Sequence, residues 1–87
     1  KMVVQGMFKD IFDTLKELED IENLSIDFNI TYPLIDKYGN ATEEIVIKAS
    51  YSNETRQKLN FDNLIFNNID TVADEWWMHA ALEDALQ

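Results

Sequence analysis

LSIDFNITY, residues 24–32, and EIVIKASY, residues 44–51, decide the fold. In the first run Leu24, Ile26, Phe28, Ile30 and Tyr32 alternate with Ser25, Asp27, Asn29 and Thr31. In the second, Ile45, Ile47, Ala49 and Tyr51 alternate with Glu44, Val46, Lys48 and Ser50. Successive strand residues point to opposite faces, so each run reads as a half-buried strand. Between them lies Asp36-Lys37-Tyr38-Gly39-Asn40, in which Gly39 is free to take a positive φ. Directly opposed residues share a face, so the even-numbered apolar set must meet the odd-numbered one. A turn centred on Tyr38-Gly39 does this and predicts the pairs Tyr32–Ile45, Ile30–Ile47 and Phe28–Ala49. Pro33 brings no N–H to a ladder and weakens the strand there or marks it as an edge.

Working outward, Val4, Phe8, Ile11, Leu15 and Leu18 keep helical spacing, and Met7, Phe12 and Ile21 widen their stripe. Lys9, Asp10, Asp13, Lys16, Glu17 and Asp20 take the other side, as on a helix lying against a sheet. After Tyr51, Ser52 or Asn53 caps a short helix reaching about Asn60. From Phe61 to Ile69 the pattern fits a helical turn or a short third strand, with the flanking Asn60, Asn63, Asn67 and Asn68 favouring turns. Asp70 or Thr71 is then placed to cap a final helix over Thr71–Leu86, with Asp74 in capping-box position. The expected fold class is α+β: a small α-β-β-α-α domain, an antiparallel β-hairpin with helices packed on its apolar face. Residues 1–87 read as a single domain, and Lys1 standing before Met2 gives the expectation of a chain excised or processed from a longer one.

The composition restricts function. Seventeen acidic side chains against seven basic ones leave a net charge of −10, so phosphate is repelled and direct nucleic-acid binding is not expected. Uncharged stretches fall far short of the roughly 20 residues of a membrane span, so no membrane insertion by this segment is expected. With no cysteine, neither a disulfide nor a thiolate metal site is available. The charge is uneven: from Phe61 to Gln87 the acids are Asp62, Asp70, Asp74, Glu75, Glu83 and Asp84, with no Lys or Arg among them.

The chemistry-bearing residues are few. His79, the one imidazole, has Glu75 and Glu83 four positions to either side, a spacing that on a helix aligns all three. A half-exposed His in a carboxylate-rich strip explains the pattern better than a metal chelate. The carboxylate pairs Glu43-Glu44, Asp74-Glu75 and Glu83-Asp84 read as solvated surface, because acid–base work needs a buried member with a raised pKa. Gly6 and Gly39 cannot build a phosphate-cradling loop, and no Ser or Thr stands in a nucleophile-elbow context. The reading is therefore of a chain that is not an enzyme, with no catalytic residue, cofactor site or metal site. Asn23, Asn29, Asn40 and Asn53 each begin an Asn-x-Ser/Thr triplet; Asn29 falls inside a strand, and the four are read as products of an Asn-rich composition.

The expected final helix points to a partner. On a helical wheel Val72, Ala73, Trp76, Trp77 and Ala80 fill one sector, while Met78, Leu82, Ala85 and Leu86 fill another. So small a domain covers one side of its last helix more readily than both. Met78, Leu82 and Leu86 then form an i, i+4, i+8 ridge flanked by Glu83, with Trp77 at the margin of the core, and these five are the predicted partner-binding residues. Their acidic setting calls for a protein partner with a basic flank; a homodimer is possible at the cost of like-charge repulsion. The chain thus reads as a non-enzymatic protein-interaction domain. The alternative is an acidic inhibitor of phage type, a DNA mimic that offers carboxylates to a basic protein where DNA offers phosphates. The stretch from Tyr32 through Ala80 resembles uncharacterised domains of exported Gram-positive proteins. That resemblance brings no functional motif, but it implies a bacterial, extracytoplasmic setting in the envelope or outside the cell; a DNA mimic would be cytoplasmic.

Overall fold

A computed structural model describes residues 2–83. Helix α1 spans Met2–Glu17, β1 Ile26–Ile35, β2 Ala41–Tyr51, α2 Asn53–Lys58, β3 Glu75–Met78 and α3 Ala80–Glu83, with a single 3-10 turn at Phe66–Asn68. The strands form an antiparallel sheet in the order β1-β2-β3. It is a small α+β domain built on the expected hairpin. Val4, Met7, Phe8, Ile11 and Leu15 of α1 lie in one buried cluster with Val46, Ile47, Ala49 and Tyr51 of β2, and with Ile69 and Leu82. Aromatic edges lock the layers: Phe8 meets Trp76 of β3 at 5.3 Å, and Phe12 meets Phe61 at 5.4 Å. α1 stops at Glu17, short of the predicted stripe, so Ile21 lies in the following loop and is 49% exposed.

The hairpin register carries a correction. Ile30–Ile47 and Phe28–Ala49 pair as expected, and Ile26 meets Tyr51. Tyr32, however, faces Glu44, and Ile45 faces Thr31, because the register shifts between Ile30 and Thr31. The turn explains why. The Asp36 N–H donates to the Asn40 carbonyl at 2.9 Å, and the Gly39 N–H to the Asp36 carbonyl at 3.0 Å. The Asp36 carboxylate accepts the N–H groups of Tyr38 and Asn40, each at 2.9 Å, and Gly39 sits at φ 85°. This is a three-residue loop centred on Tyr38 and closed by a left-handed glycine, the commonest hairpin turn after the two-residue ones. It places Ile35 against Ala41 and Leu34 against Thr42, one residue out of step with the core pairs. Turn chemistry and the hydrophobic pattern therefore disagree by one position, and a β-bulge absorbs the difference in β2. Val46 is the extra residue. It turns inward beside Ile47, both at 0% exposure, while Ile45 moves to the other face at 39%.

The final helix over Thr71–Leu86 is the second correction. Among its described residues, 71–74 form a turn and bend, Ala80–Glu83 are the helix α3, and Glu75–Met78 are β3, in which Trp76 pairs with Ala49, Trp77 with Lys48 and Met78 with Ile47. Aromatic residues favour a pleated surface, and the outer backbone groups of β2 need partners. A large Trp76 beside a small Ala49 fills the core face. Asp74, expected to stabilise that helix start, instead accepts the Ser52 N–H at 2.6 Å and the Thr55 hydroxyl at 2.9 Å. α2 begins where expected, with the Ser52 hydroxyl as its N-cap. The ambiguous stretch 61–69 resolves as turns: the Leu64 N–H bonds the Asn60 carbonyl at 2.9 Å, and the 3-10 turn follows.

Candidate docking face

The strand pairing sorts side chains onto two faces. Ile26, Phe28 and Ile30, with Ile47, Ala49 and Tyr51, and with Trp76 and Met78, turn towards α1. The opposite face carries Asp27, Asn29, Thr31, Pro33 and Ile35 of β1, then Ala41, Glu43, Ile45, Lys48 and Ser50 of β2, then Glu75 and Trp77 of β3. Among the described residues no helix lies over it. Trp77 is 45% exposed, Ile45 39% and Ile35 67%, and at the tip of the arm Tyr38 reaches 76%. The Lys48 ammonium sits 5.7 Å from the centre of the Trp77 ring, a cation–π contact. The molecule is 46 Å long against 23 and 18 Å across, so the outer hairpin projects as an arm.

A shallow recess beside this face is lined by Ser25, Asp27, Ser50, Tyr51, Ser52, Asp74 and Glu75. In it the Ser52 N–H and then the Thr55 hydroxyl hold the Asp74 carboxyl below its usual value. Tyr51 behaves oppositely. Burial, and then the nearby Asp70 charge, push its phenol well above the ordinary range, and its O–H donates to the Ile69 carbonyl at 2.7 Å. Neutral and hydrogen-bonded, it is a packing residue.

The predicted partner-binding residues do not come together as a ridge. Met78 lies in β3, half-buried on the core face, and Leu82 of α3 is in the core at 5% exposure. Glu83 is the last residue of α3, and Leu86 lies outside the described residues. Trp77 is set on the opposite sheet face from Met78, because adjacent strand residues diverge. His79 shares no helix face with Glu75. Its N–H bonds the Val46 carbonyl at 2.8 Å, its Nδ1 accepts the Ala81 N–H at 3.1 Å, and its ring stands edge-on to Trp77 at 6.0 Å. Among the described residues no three His, Cys, Asp or Glu side chains are grouped to hold a metal, and no helix is long and apolar enough to cross a membrane.

Sequence reasoning missed Arg56 altogether. At 8% exposure its guanidinium donates to three carbonyls beyond the end of α1: Leu18, Ile21 at 3.1 Å and Leu24 at 2.7 Å. Its place in a six-residue helix, on the side turned inward, carried no periodic signal. No family model, curated protein or solved structure matches this chain.

Proposed function

We propose that this chain is a non-enzymatic protein-interaction domain whose docking surface is the face carrying Trp77, Ile45 and Ile35, rather than a ridge on its last helix. One observation carries the reading: large apolar side chains stand exposed on the sheet face opposite the core, Trp77 on the edge strand β3 the largest of them. Tryptophan and isoleucine on a rigid sheet lose little freedom when covered, and an aromatic anchor ringed by polar groups is the usual makeup of an energetic centre. Asp27, Glu43 and Glu75 share the face with a single cation, Lys48, so the partner is expected to be basic around an apolar centre. A second copy of so acidic a chain is the less favourable occupant.

The test starts from a partner retained by the immobilised chain from its source cells and re-measured in purified form. Trp77→Ala is expected to weaken that binding tenfold or more while leaving the melting temperature within a few degrees. Wild-type affinity in Trp77→Ala, Ile35→Ser and Ile45→Ser alike would contradict the proposal. Binding that ignores Trp77 yet collapses with added salt would favour the acidic-inhibitor reading instead.

A further inference from the structure

The step between β3 and the outer half of β2 offers something more specific than an apolar face. β3 pairs only with Ile47–Ser50, and the ladder closes where the His79 N–H meets the Val46 carbonyl. From Ala41 to Ile45, β2 continues beside β1 with no strand on its other side among the described residues. One residue fixes the phase of this ladder. Pro33 has no N–H and pairs with Glu43, so theirs is a non-hydrogen-bonded pair, and the Glu43 N–H and C=O point away from β1. With a period of two, the backbone groups of Ala41 and Ile45 point the same way. All of these residues are exposed, and an open row of donors and acceptors is a template for another strand.

The side chains say which strand. Glu43 and Glu44 are adjacent and project from opposite faces, and their cross-strand neighbours Pro33 and Tyr32 carry no charge to answer them. Ile45 follows beside Thr31, half-exposed. We infer that the outer half of β2 takes up an extended segment of a partner protein by strand addition, and that this segment places two consecutive basic residues opposite Glu43 and Glu44 and an apolar residue opposite Ile45. The inference rests on the protein-interaction reading and names the partner's chemistry. Opposite charges across a strand pair attract and like charges repel, so the same glutamates reject a second copy of this edge. A charged edge deters most strands, and here that deterrence selects for a basic one. Across β2, the β1 edge is blunted by Pro33.

The experiment titrates the isotopically labelled chain with a capped ten-residue peptide holding a central Lys-Lys pair within alternating Val and Thr, and with its Glu-Glu counterpart. The Lys-Lys peptide is expected to slow amide exchange at Ala41, Glu43 and Ile45, which exchange freely without it, and the Glu-Glu peptide is expected not to bind. Glu43→Lys combined with Glu44→Lys should weaken the Lys-Lys peptide at least tenfold and admit the Glu-Glu peptide. Protection along Ile26–Thr31 instead, shifts confined to Trp77 and Lys48, slow exchange at this edge in the free chain, or no binding at all would each overturn the inference. If the edge fails while partner binding still depends on Trp77, the docking face stands without strand addition. If the edge binds while the partner ignores Trp77, strand addition stands without the docking face.

Discussion

Arg56 shows how one buried charge organises a loop that has no regular structure. Its guanidinium gathers the Leu18, Ile21 and Leu24 carbonyls in the loop that follows α1. A cation beyond a helix C-terminus is also favoured by the helix dipole. Arg56→Met keeps the apolar stem but removes the donor to all three carbonyls, and is expected to cost about 2–4 kcal/mol in urea unfolding. A cost under about 0.5 kcal/mol would mean that water replaces the guanidinium freely. Asp74 gives a prediction with a pH signature. Because its folded pKa is lowered, its contribution is complete above the unfolded carboxyl value and is lost as pH falls through the folded one. The stability gap between wild type and Asp74→Ala should therefore be flat from pH 8 to 5 and shrink on further acidification. A gap that widens below pH 4 would contradict the assigned hydrogen bonds.

At the scale of elements, the β-bulge in β2 is the feature most exposed to test. An unbroken hairpin puts Ile45 inside and Val46 outside; the bulge exchanges them. Val46→Asp is thus expected to unfold the domain, since a carboxylate at a fully buried site costs more than so small a core supplies. Ile45→Asp should change stability by about 1 kcal/mol or less in thermal melts. The opposite order would restore the regular register. Much of the hairpin was legible, because period-two alternation in Ile26–Ile30 and Ile47–Tyr51 is a strong signal and Gly39 marks the turn. The bulge was not, because it arises from two local preferences that each look consistent alone. β3 escaped for a different reason. Four residues, Glu75–Met78, are too few to show a period, and the apolar Val72, Ala73, Ala80 and Leu82 around them fit a helical wheel equally well. The same misreading moved the expected contact surface. Trp77 stands out in the sequence, but its place on an open sheet face depends on a strand and could not follow from a helix.

For the whole molecule, one asymmetry underlies the proposed function: α1 covers one side of the sheet, and among the described residues no helix covers the side bearing Trp77. Ile69, from the turns of residues 59–74, and Leu82 of α3 join α1 in the buried cluster on the covered side. Hydroxyl-radical footprinting of the free chain, read by mass spectrometry, tests this most directly because the sequence supplies matched pairs of equal intrinsic reactivity. Trp77 and Ile45 lie on the open face, Trp76 and Ile47 on the covered one. Trp77 is expected to be labelled several-fold faster than Trp76, and Ile45 several-fold faster than Ile47. Equal rates within both pairs, or the reverse order, would contradict a sheet with one open face.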